Sequence, residues 1–188
     1  NSMLFIPEHG TGMFDPYNMD YGLDLYVNRI LIQRKNQELI PQHLAFLEGV
    51  VDTEDLPLNL SRQAIQENAL IRKINSTITK QVMGRLEKIA QEDPERYNHF
   101  WNQHGKILKL GYMDFENRDK FCELLRYNSS HFEDDTGLTS LNEYVQRMKE
   151  GQKEIYFVSG QSRESIVSNP HLELFKDKGL EVLYLFEP

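Results

Sequence analysis

An arginine and a glutamine four residues apart, set directly after a serine, are the residues of this chain best suited to meet a highly charged anion. Ser61 has the hydroxyl of a helix N-cap, Arg62 follows it, and Gln66 falls one turn on along the same helical face. Unpaired helix N–H groups, a capping hydroxyl and a guanidinium at one point suit a phosphate. A cation in a first helical turn is opposed by the helix dipole, by about 0.3–1 kcal/mol. Local helix chemistry therefore does not account for Arg62. Gln66 is placed to orient a water or an oxygen of the same ligand. The acidic run Asp52-Thr53-Glu54-Asp55 offers the other partner for Arg62, a surface ion pair.

Three elements must position these residues. Gly49-Val50-Val51 reads as a short apolar strand leading into the acidic run. In Leu56-Pro57-Leu58 the proline fixes its own φ and pushes Leu56 toward extended geometry, so a loop exposes leucines before Ser61. From Ile65 the apolar residues Ile71, Ile74, Ile78, Val82, Leu86 and Ile89 recur at three and four, which predicts an amphipathic helix capped by Ser61 and about 40 Å long. Arg72, Lys73, Lys80, Arg85 and Lys88 line its other face, as a solvated surface or as a docking face for an acidic partner.

The string GVVDTEDLPLNLSR, with LYVNRILI upstream and KGLEVLYLFEP at the end, resembles the middle domain of the heat-shock protein 90 chaperone family in its bacterial high-temperature protein G form. The resemblance covers nearly the whole chain. It implies that residues 49–66 are a catalytic loop whose arginine, Arg62, reaches the γ-phosphate of ATP and whose glutamine, Gln66, supports it. The ATP, with its Mg2+, is held by a separate N-terminal domain that also supplies the attacking water and its base. Leu31 and Leu56 match an apolar patch that docks on that domain when ATP is bound, and Leu58, beside them in the loop, is a further docking candidate. Client proteins, a homodimer formed through a C-terminal domain, and a cytoplasmic location are implied in the same way. Many members have Arg-Glu and a larger apolar residue where this chain has Arg62-Gln63-Ala64, a departure that touches the packing of the loop and neither transferred residue. A different class of function is a non-catalytic α/β module that binds proteins through the exposed leucine loop.

With 188 residues, 39% of them hydrophobic, the chain is long enough to bury a real core. A net charge of −8, with no basic stripe that dominates a face, argues against nucleic-acid binding and favours a soluble cytoplasmic protein. No run of eighteen apolar residues predicts a membrane span. Cys122 is the sole cysteine, and its neighbours Phe121, Leu124 and Leu125 predict a buried thiol. Asn1-Ser2 lacks the pattern of a signal peptide.

The remaining pattern predicts an α/β fold of two small subdomains. Residues 1–90 make the first, with the loop and long helix, residues 91–126 a helical connector, and residues 127–188 an incomplete second subdomain. Strands are expected at 3–6 and, as one central strand, at 23–32. Residues 41–47 read as a short helix. Three strands before the long helix are few for a half-sheet, which reads as a fragment whose opening strands are missing. Pro94 opens a helix bearing Tyr97, Phe100 and Trp101 that Gly105 ends, and Asn117 caps another. Residues 128–137 read as a polar mobile loop. A helix capped by Ser140, a buried strand at 154–158, helices around 162–168 and after Pro170, and a strand at 180–186 follow. Strand, helix, strand in that order predicts a parallel unit.

Other chemistry is missing. Six histidines are scattered without a two-His helical pair, and no metal site is expected. No phosphate-binding glycine loop or dinucleotide fingerprint occurs. Ser159-Gly160-Gln161-Ser162 lacks the order of a nucleophile elbow, which leaves Ser162 as a helix cap.

Overall fold

The computed structural model describes residues 1–10, 20–57, 68–114, 118–134 and 136–185. They form an α/β protein of two compact units, Asn1–Lys120 and Phe121–Pro188.

The first unit is built on a four-stranded sheet of order β1-β4-β2-β3, with β1 at Ser2–Phe5, β2 at Leu23–Val27, β3 at Ile30–Asn36 and β4 at Glu48–Thr53. β4 runs antiparallel to β1 and parallel to β2. Strict alternation in β2 buries Leu23, Leu25 and Val27 completely and leaves Asp24 and Tyr26 on the other face. Gly49, at φ 136°, permits the close pairing of β1 with β4, since a Cβ there would lie 2.1 Å from the Met3 carbonyl oxygen.

The stretch expected as one central strand is a hairpin. Asn28 and Arg29 turn it between β2 and β3, at φ 50° and 67°. A two-residue turn of this hand needs φ above zero at both central positions. The usual marker is Asn-Gly, and the Arg in its place conceals the turn in the sequence. The helix expected over residues 41–47 is a 3-10 turn at Gln42–Leu44, preceded by another at Gln37–Leu39.

The long helix, α1, runs over Ala69–Glu92. Its cap is Asn68, whose side chain accepts from the Leu70 N–H at 2.8 Å; the expected cap, Ser61, lies outside the described residues. Asn is as good an N-cap as Ser, and the apolar period that defines this helix begins at Ile71. α2 follows at Pro94–Lys109, capped by Asp93 with Pro94 in the first turn. Gly105 does not end it. The glycine is buried inside the helix, where a Cβ would lie 2.8 Å from the Trp101 ring, so it makes room for the indole. α2 packs within this unit, against α1 and the Gln42–Leu44 turn. Phe46, Phe100 and His104 stack there at centroid distances of 5.2–5.4 Å. α3, at Arg118–Leu124, spans the boundary of the two units. Phe121 and Leu124 are buried while Cys122 is exposed, contrary to expectation, because one residue along a helix rotates the side chain by about 100°.

The second unit has a three-stranded sheet of order β5-β7-β6, with β5 at Asn128–Ser129, β6 at Tyr156–Ser159 and β7 at Val182–Leu185. β6 and β7 are parallel, joined through α5 at Arg163–Val167 and α6 at His171–Asp177, which is the predicted strand–helix–strand unit. Residues 128–137 are not all loop. Asn128 and Ser129 are buried as an edge strand antiparallel to β7, fixed by Asn128 Nδ2 on the Gly137 carbonyl and Ser129 Oγ on Glu181 Oε1. β6 is likewise an edge strand and not a buried one. Tyr156 and Val158 face the core of Ile166, Val182 and Tyr184, while Phe157 is 65% exposed. α4, at Leu141–Gln146, starts with a capping box of Ser140 and Glu143, and Ser162 caps α5 as expected.

Candidate functional site

Two described elements bracket residues 58–67, which contain Leu58, Ser61, Arg62 and Gln66; these four lie outside the described residues. On one side is the exit of β4, on the other the entry of α1. β4 ends at Thr53, where the chain bends: the Asp55 N–H donates to Thr53 Oγ1 at 3.3 Å. Leu56 then turns inward and is only 4% exposed. On the far side of residue 67, Asn68 sets the first turn of α1, its carbonyl accepting from the Arg72 N–H at 3.2 Å. The described residues on either side of 58–67 are thus anchored by hydrogen bonds and by one buried leucine.

The structure separates the leucines of the expected docking patch. Leu31 is 38% exposed on β3, whereas Leu56 is packed away. An apolar side chain beside a proline is satisfied here by burial within the unit, which stabilises the loop by about 1.5–3 kcal/mol. Leu56 is therefore unavailable as an exposed contact in this conformation.

Sequence reasoning missed the contact that joins the hairpin tip to this loop. The Asn28 N–H donates to the Thr53 carbonyl at 3.1 Å, and the Arg29 N–H donates to Asp52 Oδ1 at 3.1 Å. The signal was present as a polar pair, Asn-Arg, between two apolar runs. Its partner, twenty-three residues on, has no local mark.

A cleft of about 500 Å³ opens between β4 and α1, lined by Asp52, Glu54 and Asp55 with Lys73, Ile74 and Thr77. With three carboxylates and Lys73 as the one basic side chain in its lining, the cleft carries a net negative side-chain charge. Among the described residues no group of three or more His, Cys, Asp or Glu is disposed to bind a metal ion. None of the described helices is long and apolar enough to cross a membrane. The basic residues of α1, including Arg72, Lys80 and Lys88, are exposed around its outer side.

Behind the sheet the first unit buries two imidazoles. His43 is 4% exposed with Asp114 at 3.8 Å, and burial, partly opposed by that carboxylate, lowers its pKa to about 4. His104 is 2% exposed, its Nε2 2.9 Å from the Pro7 carbonyl oxygen and its Nδ1 buried without a hydrogen-bond partner. Burial lowers its pKa as well, against the Pro7 contact. Both are neutral at pH 7, and the N–H of His104 belongs on Nε2, where it ties residue 7 to α2.

In the second unit Glu181 accepts two parallel hydrogen bonds from Arg147, at 2.8 and 2.9 Å, and a third from Ser129 at 2.7 Å. Tyr144 donates to the Glu181 carbonyl at 2.7 Å. This network fastens α4 to β5 and β7. A groove of about 720 Å³ is lined by Val182, Tyr184, Phe132, Leu172 and Phe175, with Glu181 also in its wall. Its rim carries charges of both signs.

A family model described as Hsp90 protein matches residues 1–188. The chaperone protein HtpG of Nitratidesulfovibrio vulgaris is 54% identical over 186 residues, 99% of this chain and 29% of that protein. That of Oleidesulfovibrio alaskensis is 53% identical over the same shares, and that of Alkalilimnicola ehrlichii 43% identical over 190 residues. The chain thus spans 29% of the length of these relatives. With the family model matching from end to end and identity above one half across nearly the whole chain, the protein belongs to the Hsp90 family, among its bacterial HtpG chaperones.

Proposed function

We propose that this chain is the middle segment of an ATP-dependent chaperone and that it completes, from outside, an ATPase site built on a separate N-terminal nucleotide domain. Arg62 is the catalytic group. Its guanidinium pairs with the γ-phosphate of ATP and stabilises the charge that spreads over the phosphoryl oxygens in the transition state, an effect worth about 10³–10⁵ in rate for such arginines. Gln66 supports it at the same oxygens. The nucleotide domain holds ATP with its Mg2+ and supplies the attacking water and its base. Client proteins, dimerisation through a further C-terminal domain, and a cytoplasmic setting belong to the whole chaperone in this reading.

One observation supports the assignment above others. β4 and α1 hold both roots of a loop whose described flank is acidic, with Asp52, Glu54 and Asp55 along it. In the absence of nucleotide those carboxylates are ready partners for Arg62. A phosphate of two to three negative charges competes with them only when another domain brings it close, so hydrolysis follows docking. Leu31, exposed on β3, makes that contact in this reading, with Leu58 as its companion. Leu56 acts from beneath, by fixing the loop.

Mixing this chain with a separately prepared nucleotide domain tests the reading. Turnover of ATP is expected to rise on mixing and to lose that rise in Arg62→Ala. No stimulation by the unaltered chain would favour a module that binds proteins without taking part in catalysis.

A further inference from the structure

After β1 the chain runs along α2 and is held there by few contacts. Pairing of β1 with β4 stops at Phe5. Beyond it the Pro7 carbonyl oxygen lies 2.9 Å from His104 Nε2, and the Gly10 N–H donates to Gln103 Oε1 at 3.2 Å. Gly10 sits close against the helix, where a Cβ would come within 2.4 Å of the Gln103 carbonyl oxygen. Glu8 and His9, between these two contacts, are exposed. Two successive residues of one helix, Gln103 and His104, thus seat residues 7–10.

The imidazole that makes one of these contacts suits only its neutral form. His104 is buried with its ring against Phe46 and Phe100, and its Nδ1 has no hydrogen-bond partner. With the N–H on Nε2, a neutral ring leaves Nδ1 as an acceptor only. A charged ring has a donor on both nitrogens, and one of them would then be buried without an acceptor. Among the described residues no carboxylate acts on His104 by charge to offset this. The titratable groups of the elements around it are Glu8 and His9, exposed on residues 7–10, His43, buried and neutral on the 3-10 turn, and His99 on α2, which opposes a second positive charge. His43, by contrast, has Asp114 at 3.8 Å.

A charged His104 can bring Nδ1 to water only by leaving its site, and leaving breaks the contact of Nε2 with the Pro7 carbonyl. Which side gives way depends on which is held less. α2 keeps Tyr97, Trp101 and Leu108 buried, whereas none of residues 7–10 is buried. We propose that His104 is an acid-sensitive latch: a proton on its Nδ1 frees residues 7–10 from α2 while the helix and the sheet stay folded. Burial lowers the pKa of this imidazole, so the closed arrangement is fully present above pH 6.5 and is lost as the pH falls below it. The latch is independent of the roles given above to Arg62 and the leucines.

The test compares the chain at pH 7 and at pH 5, the latter below the ordinary imidazole range, by amide hydrogen exchange corrected for intrinsic rate and by nitrogen NMR of the imidazoles. Protection of the Gly10 N–H is expected to fall several-fold at pH 5 while Met83 and Leu86 of α1 stay protected. The His104 ring is expected to pass from the Nε2–H form to the doubly protonated form over the same pH range. In His104→Gln, which keeps a donor for the Pro7 carbonyl and does not titrate, protection at Gly10 is expected to be the same at both pH values. Protection in the unaltered chain that does not change, that falls equally in His104→Gln, or that is lost only together with Met83 and Leu86 would overturn the latch. So would a His104 ring that takes up its proton while Gly10 stays protected, a result read in the unaltered chain even if His104→Gln does not fold.

Discussion

Lowering the pH from 7 to 5 should destabilise the first unit by an amount set largely by His43. This imidazole is neutral in the fold, with a pKa lowered to about 4 chiefly by burial, against 6.5 for the unperturbed group. Between those two values the unfolded chain binds a proton that the folded chain refuses, so stability is full above pH 6.5 and is lost as the pH falls toward 4. The shift corresponds to about 3 kcal/mol in total, of which about 2 kcal/mol is lost between pH 7 and pH 5. His104, shifted the same way by burial, adds to the loss. Trp101 is the chain's single tryptophan and is buried in this unit, so its fluorescence in urea reports the unfolding concerned. The quantity to compare is the loss on acidification in the unaltered protein and in His43→Gln, whose side chain does not titrate. The variant is expected to be less stable at pH 7 and to lose about 2 kcal/mol less on going to pH 5. An equal loss in both would show that His43 is charged in the fold or exposed, and would refute the burial argument.

The two leucines near the loop should behave oppositely. Leu56→Ala, at a buried site, is expected to cost about 2–4 kcal/mol in urea unfolding, while Leu31→Ser is expected to cost under about 0.5 kcal/mol and to slow ATP turnover of the full-length protein. Arg147→Lys, which loses the paired hydrogen bonds to Glu181, should destabilise the second unit by about 1–2 kcal/mol in thermal unfolding; an unchanged transition would mean that the network is replaced by water. Arg29→Gly should raise stability by about 0.5–1 kcal/mol through relief of the left-handed arginine, and a loss would show that the Arg29 side chain contributes more than its backbone costs.

The elements defined by period were legible in the sequence, and those defined by a single turn residue were not. Alternation in Leu23, Leu25 and Val27 and the three-and-four spacing from Ile71 to Ile89 report burial on one face, which is the property that shapes strands and helices. The Asn28-Arg29 turn lacks the glycine that marks its class, so two strands read as one. Gly105 has the residue type of a helix end but serves the packing of Trp101 inside α2. Cys122 shows the related error of taking neighbours in sequence for neighbours on a helix. For the site, type and spacing single out Arg62 and Gln66, which lie outside the described residues, and the docking leucines come from the resemblance alone. The partnership of Asp52 with Arg29 could not be read, because it is made by strand register between residues far apart in the chain. Leu56 looked like a surface contact since a proline loop ordinarily exposes its apolar residues, and only the packing decides otherwise.

The most direct measurement of the central claim is ATP turnover by the full-length chaperone carrying Arg62→Ala or Arg62→Lys, with melting temperature recorded alongside. A guanidinium aimed at the γ-phosphate predicts a fall in kcat of about 10³-fold in the alanine variant, with little recovery by lysine, which lacks the planar fork of donors. KM for ATP should be unchanged, and the melting temperature should stay within about 2 °C. Turnover that persists in Arg62→Ala, or that falls only in step with the melting temperature, would contradict the account and return Arg62 to the acidic residues beside it as a surface ion pair.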